Sequence, residues 1–181
     1  LLKMRKIFVF LLLLCEASVF AQIKVSNVQK NSSDFSLFAN GKACNIYVDA
    51  SDFTVVKIVS DLFSEDIQRV TGIKSTVFSS IFPKEDQIVV IGTLGSNKII
   101  DRLVESGKLD VSLIRNGWKQ FIIKVVEFPI EGVKRALVVA GCDRRGTAYG
   151  TFTLSEAIGV SPLYWWADVP VKHQNALYIE A

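Results

Sequence analysis

Gln87-Ile88-Val89-Val90-Ile91-Gly92-Thr93-Leu94-Gly95-Ser96 decides the fold class of this chain. Its first five residues are mostly β-branched and show no alternation of apolar and polar positions, which predicts a strand covered on both faces. Gly92 to Ser96 then turn the chain, and Ile99, Ile100, Leu103 and Val104 recur at helical spacing beyond it. A doubly covered strand running straight into a helix belongs to an α/β architecture. The same order would fit a nucleotide-binding unit, but Gly92 and Gly95 match neither a P-loop nor the three-glycine dinucleotide fingerprint. The segment is read as a structural turn.

Upstream, Val55, Val59, Leu62, Phe63, Ile67 and Val70 recur every three or four residues and stop at Gly72, predicting an amphipathic helix of about five turns at 3.6 residues each. Asp49-Ala50-Ser51-Asp52 supplies side-chain acceptors suited to capping its start. Phe35 to Phe38 and Cys44 to Val48 flank Ala39-Asn40-Gly41-Lys42, where Asn-Gly predicts a hairpin. Ile73 to Phe78 reads as a further strand. Downstream, Gln120 to Phe128 and Arg135 to Gly141 form an antiparallel pair across the loop 129–134, which makes the sheet mixed. A third helix is expected from Gly146 to Ile158, presenting Tyr149, Phe152, Thr153 and Ile158 in an interrupted apolar pattern, and Ala176 to Ile179 is the last strand. The expected fold is thus α/β (α+β), a mixed, mostly β sheet with about three helices packed on it. It occupies residues 35–181, with 22–34 as a polar linker.

Half of the 181 residues are hydrophobic, enough for one packed core. The net charge of +3 comes from scattered lysines and arginines, so no nucleic-acid footprint is expected. Residues 1–21 read as a secretory signal peptide: Lys3, Arg5 and Lys6 precede the apolar run Ile7 to Leu14, and Val19-Phe20-Ala21 offers a cleavage site before Gln22. That run is shorter than the roughly 20 residues needed to span a bilayer, so a secreted or periplasmic protein with no membrane attachment is expected. A lipoprotein anchored through Cys15 is the weaker alternative, because Leu14 stands where a lipobox requires a small residue. Cys44 and Cys142 then remain; buried free thiols are expected ahead of a disulfide. No metal-site spacing is present and no cofactor is expected.

The lone histidine, His173, lies in a polar run, and no serine has glycine-flanked elbow spacing, which removes most nucleophile triads. Carboxylates are the remaining catalytic option, and glycoside hydrolysis needs two of them facing one bond. Asp143, Glu156 and Asp168 lie nearest the aromatic carboxy-terminal third. Asp143 can cap the following helix, while Arg144 and Arg145 can pair with it or reach a bound acid. Trp165 and Trp166, taken as extended, should point to opposite faces, one inward and one to solvent or a neighbouring domain.

The run Gly141-Cys142-Asp143-Arg144-Arg145-Gly146-Thr147-Ala148-Tyr149-Gly150, continued by Leu154 to Pro162 and by Tyr164-Trp165-Trp166-Ala167-Asp168-Val169-Pro170, resembles the amino-terminal region of family 115 glycoside hydrolases. The resemblance implies an accessory domain like those of hexosaminidase-type glycosidases, in a secreted xylan α-1,2-glucuronidase that removes glucuronic acid or its 4-O-methyl ether. It also implies that the catalytic carboxylates belong to a following β/α barrel of roughly 250 residues, absent from this chain, so no catalytic residue is nominated. Asp143, Arg144, Arg145, Trp165, Trp166 and Asp168 are the candidates for substrate binding or for the seam with that barrel. The expected partners are the parent enzyme's barrel and a xylan-type polysaccharide. A free-standing module binding acidic xylan through the tryptophans and arginines is the alternative. A small complete enzyme would need a catalytic pair among Asp143, Glu156 and Asp168.

Overall fold

A computed structural model describes residues 23–181, apart from the side chain of Trp165; the expected signal segment lies outside the described residues. Two sheets share the chain. The smaller is antiparallel and four-stranded, with β1 (Val25–Ser26), β2 (Phe35–Ala39), β3 (Lys42–Ala43) and β9 (Leu177–Ile179) in the order β1-β9-β2-β3. The larger is five-stranded, with β4 (Ile46–Tyr47), β5 (Val77–Phe78), β6 (Gln87–Thr93), β7 (Phe121–Glu127) and β8 (Arg135–Gly141) in the order β5-β4-β6-β8-β7. All of its pairings are parallel except that of β7 with β8. The helices are α1 (Thr54–Thr71), α2 (Lys98–Glu105), α3 (Arg144–Ala157) and the single turn α4 (Tyr164–Ala167). The mixed sheet and its three longer helices are the α+β fold expected.

The β6 strand is covered on both faces, as its composition requires: Ile88 to Ile91 are all fully buried. Alternate residues serve two cores. Val89, Ile91, Leu137 and Val139 pack with Phe63 and Ile67 of α1, Leu154 of α3, and Phe35 and Leu37 of the smaller sheet. Ile88, Val90, Ala136 and Val138 pack on the other side with Ile100 and Leu103 of α2 and with Leu109, Val111 and Ile114. Helix α1 ends where Gly72 takes a left-handed φ of 81°, the conformation that a β-carbon disfavours.

Several local expectations are corrected. Asn40 and Gly41 do form the hairpin turn, with φ of 54° and 71°, but only Lys42 and Ala43 complete the hairpin. Ile46 and Tyr47 leave for the larger sheet. Asn45 makes the crossing: its carbonyl accepts from Val89, and its side chain donates to Glu85 and accepts from the Thr76 N–H. The expected strand from Ile73 shrinks to Val77–Phe78, because Ile73 is exposed and has no core to meet. The segment 22–34, read as a linker, carries β1 on the edge of the smaller sheet, and Asp34 is buried, accepting the N–H groups of Lys30 and Asn31. Cys44 and Cys142 are unpaired. Burial pushes the Cys44 thiol up to about 12, whereas Cys142 is only partly covered and its Sγ accepts the Gln120 N–H.

Helix α3 differs most from its sequence pattern. Tyr149 and Phe152 are about half exposed, and the buried stripe consists of Gly146, Thr147, Gly150, Thr151, Leu154 and Ser155. Small residues are needed there because the helix lies directly on β7 and β8. A β-carbon at Gly150 would stand 2.9 Å from the side chains of Phe121 and Val139. Among the described residues no helix is long and apolar enough to cross a membrane.

Candidate functional site

Of the four parallel strands, β4, β6 and β8 finish at one end of the larger sheet and lead there into α1, α2 and α3. In open α/β sheets this end is where ligands gather. Buried carboxylates bind its loops together rather than facing an open cleft. Asp52 does not cap α1, whose first flanking residue is Phe53 with no side-chain cap. It accepts instead from the N–H groups of Thr93 (2.8 Å) and Phe53 (2.8 Å). Burial pushes its carboxyl above the ordinary range against the pull of those two donors. Asp49 accepts from the Ser51 N–H and hydroxyl and from the Lys98 N–H. Burial opposes its ionisation, but the donors outweigh it and hold the carboxyl low. Thr93 and Thr147, both buried, share a hydroxyl hydrogen bond of 2.9 Å.

Asp143 is the cap of α3, as expected. Its Oδ1 accepts from Arg145 N–H (2.9 Å) and Gly146 N–H (2.7 Å), and its Oδ2 accepts from Lys119 N–H (3.0 Å). The Gly146 donor, aided by those of Lys119 and Arg145, holds the carboxyl below its ordinary value against partial burial. Stability from this site is therefore present above the unfolded carboxyl value of about 3.9 and is lost as pH falls through the lower folded-state value. Asp143→Ala is expected to lower stability by about 1–2 kcal/mol, with the deficit shrinking in acid. Urea midpoints measured at pH 7 and pH 3 check both statements; a deficit independent of pH would refute the assigned role.

The remaining candidates lie elsewhere. Helix α3 has 14 residues, so its two ends are about 21 Å apart at 1.5 Å per residue. Asp143 to Arg145 sit at its start, whereas α4 follows its end. There the Arg69 guanidinium of α1 stands 5.5 Å from the Tyr164 ring centroid, and Gln174 N–H donates to the Val70 carbonyl. Trp165 and Trp166 lie on a helical turn rather than an extended segment, which corrects the opposite-faces expectation. Trp166 is 87% exposed; the Trp165 side chain is outside the described residues. Asp168 is exposed, in a left-handed conformation with φ of 49°. Glu156 lies on the solvent side of α3, more than three turns from Asp143. The length of α3 thus separates Asp143 from Glu156 and Asp168 by more than the roughly 5 to 9.5 Å of the carboxylate pair that glycoside hydrolysis uses. Among the described residues no group of three or more histidine, cysteine or acidic side chains could hold a metal ion.

Sequence reasoning missed Trp118, Lys119 and Phe53, which stand around Asp143 to Arg145. Trp118 is 70% exposed. The Lys119 Nζ lies 3.6 Å from its ring centroid, and the Arg144 guanidinium lies 5.8 Å from that of Phe53. The available signal was an aromatic and a cation side by side just before a strand.

No family model matches the chain, and no curated protein matches it. Among solved structures it is similar to BtGH115A, described as a family GH115 4-O-methyl-α-glucuronidase with specificity for decorated arabinogalactans. The two share 34% identity at a TM-score of 0.64, over 79% of this chain and 17% of that one. It is also similar in fold to CpGH84D, with 13% identity and a TM-score of 0.50, over 92% of this chain and 24% of that one. The chain therefore spans a minor part of the length of either protein. With this identity across most of its length and the expected mixed-sheet fold, the chain belongs to glycoside hydrolase family 115.

Proposed function

We propose that this chain is the non-catalytic amino-terminal domain of an exported α-glucuronidase that removes glucuronic acid, or its 4-O-methyl ether, from the side chains of glucuronoxylan. The observation that carries the reading is the apolar surface around α4: Trp166 is 87% exposed, Leu163 56% and Val169 36%. A tryptophan buries roughly 150–250 Å² when covered, and interfaces between domains of one chain cover about 600–1,500 Å². This surface suits the catalytic domain of the same enzyme. The carboxylates that cleave the glycosidic bond are assigned to that domain, since Asp143 stands at the opposite end of α3 from Glu156 and Asp168. The decorated arabinogalactan specificity of the similar enzyme favours a second substrate reading. Both polysaccharides would be recognised by the same uronic side group.

The test is an assay of the full-length gene product on glucuronoxylan and on glucuronidated arabinogalactan, beside the 181-residue chain alone. Release of glucuronic acid from xylan by the full product only is expected, and Trp166→Ala should lower its inactivation temperature while leaving the fold of the isolated chain intact. Glucuronic acid release by the isolated chain would overturn the non-catalytic reading. Release from arabinogalactan alone would move the substrate to the second.

A further inference from the structure

We propose that Trp118, Lys119, Arg144 and Arg145 form a binding surface for an acidic sugar, at the end of the larger sheet where its parallel strands finish. The sugar class rests on the family reading above; the surface itself rests on geometry.

The loop before β7 is laid against the first turn of α3. Lys119 N–H donates to Asp143 Oδ2 (3.0 Å), the Gln120 carbonyl accepts from Cys142 N–H (2.9 Å), and a β-carbon at Gly146 would stand 2.2 Å from that carbonyl oxygen. Lys119 itself is held at a φ of 59°, a left-handed conformation that a non-glycine residue adopts only where its surroundings impose it. The backbone of Lys119 and Gln120 is thereby fixed against Asp143 and Gly146, which brings Trp118 and Lys119 to the helix turn that carries Arg144 and Arg145, although more than twenty residues separate them in the chain.

The charge at this point is unbalanced. Among the described residues, no carboxylate oxygen lies within ion-pair distance of Lys119, Arg144 or Arg145. The nearest acid, Asp143, spends both oxygens on three backbone N–H donors. Lys119 and Arg144 instead meet the rings of Trp118 and Phe53. Such contacts leave the in-plane N–H donors of a guanidinium free for an anion. An exposed indole beside forked cationic donors is what a uronic acid requires. The C–H face of the pyranose covers the ring, and the carboxylate takes a bidentate pair of N–H groups. A neutral sugar would use the first half of this surface only.

The experiment is a calorimetric titration of the chain with a xylo-oligosaccharide bearing 4-O-methylglucuronic acid, and with the same compound after reduction of its carboxyl group. The acid is expected to bind about tenfold or more tightly than the reduced form, as a charge-assisted contact warrants. Trp118→Ala should weaken both by about tenfold, because both ligands lose the ring face that the pyranose covers. Arg145→Gln should abolish the preference for the acid without moving the melting temperature, and Trp166→Ala should change neither affinity. Equal affinity for the two ligands, undiminished binding by Trp118→Ala, or equally tight binding of dextran sulfate would overturn the proposal. An enzyme that hydrolyses glucuronides while this chain ignores them would remove only the surface proposed here. A chain that binds them within a gene product of no such activity would remove only the activity proposed above.

Discussion

Gly141→Ala is expected to destabilise the chain by about 3 kcal/mol or more, at the upper end of what single substitutions do. Gly141 is the last residue of β8, and a β-carbon there would stand 2.1 Å from the Thr147 backbone nitrogen, 2.4 Å from its Oγ1 and 2.7 Å from the Asp143 carbonyl oxygen. None of these atoms ends a flexible side chain that could swing away. Thr147 is held by hydroxyl bonds to Thr93 and to the Gly92 carbonyl (3.1 Å), and β8 by seven-residue pairings on both sides. The methyl group must therefore push α3 away from the sheet, which breaks the buried threonine pair and leaves its hydroxyls unsatisfied, at about 1–3 kcal/mol each. Denaturant midpoints of the two proteins measure the effect. A loss below about 1 kcal/mol would mean that the strand end and helix start are less tightly fixed than described.

Phe35→Ala is expected to cost about 3–5 kcal/mol, the range for removing a fully buried phenylalanine. Phe35 belongs to β2, opposite Ile179 of β9, yet it lies in the core that includes Val89 and Leu137 of the larger sheet and Phe63 of α1. The two sheets are thus stabilised by one cluster, and the variant should still unfold in a single transition at a lower midpoint. Tryptophan fluorescence reports chiefly on Trp118 beside the larger sheet and on the two tryptophans of α4, whereas far-ultraviolet dichroism reports on all elements. Coincident curves are the expected result. A second transition retaining the wild-type midpoint would show that the larger sheet folds without the smaller one.

How much of this was legible in advance depends on the range of the interactions concerned. Helix α1 follows from six apolar residues at helical spacing and one terminal glycine, all within eighteen positions. The Asn40-Gly41 turn follows from two residues able to take positive φ. Asp143 was recognisable as a cap because a cap binds N–H groups only two and three residues ahead of it. The neighbouring acids deceived for the same reason. Asp49 and Asp52 have the composition of a cap, but besides their local bonds to Ser51 and Phe53 they accept from Lys98 and Thr93 respectively, more than forty residues away. Likewise Tyr149 and Phe152 look like core on a helix, and only the closeness of α3 to β7 and β8 shows that glycines and threonines must face the sheet.

The candidate site divides along the same line. The sequence by itself determined the class of fold, the doubly covered strand β6, the family resemblance and the residues Asp143, Arg144 and Arg145, since each of these is written in a short contiguous pattern. Only the tertiary structure decided that the motif's two halves stand at opposite ends of α3, because a helix converts 14 residues into a distance of about 21 Å. It alone also decided that Trp118 and Lys119 join the arginines. Their meeting depends on β7 pairing antiparallel with β8, which brings Gln120 against Cys142 across 22 positions of sequence, and no local periodicity records such a pairing.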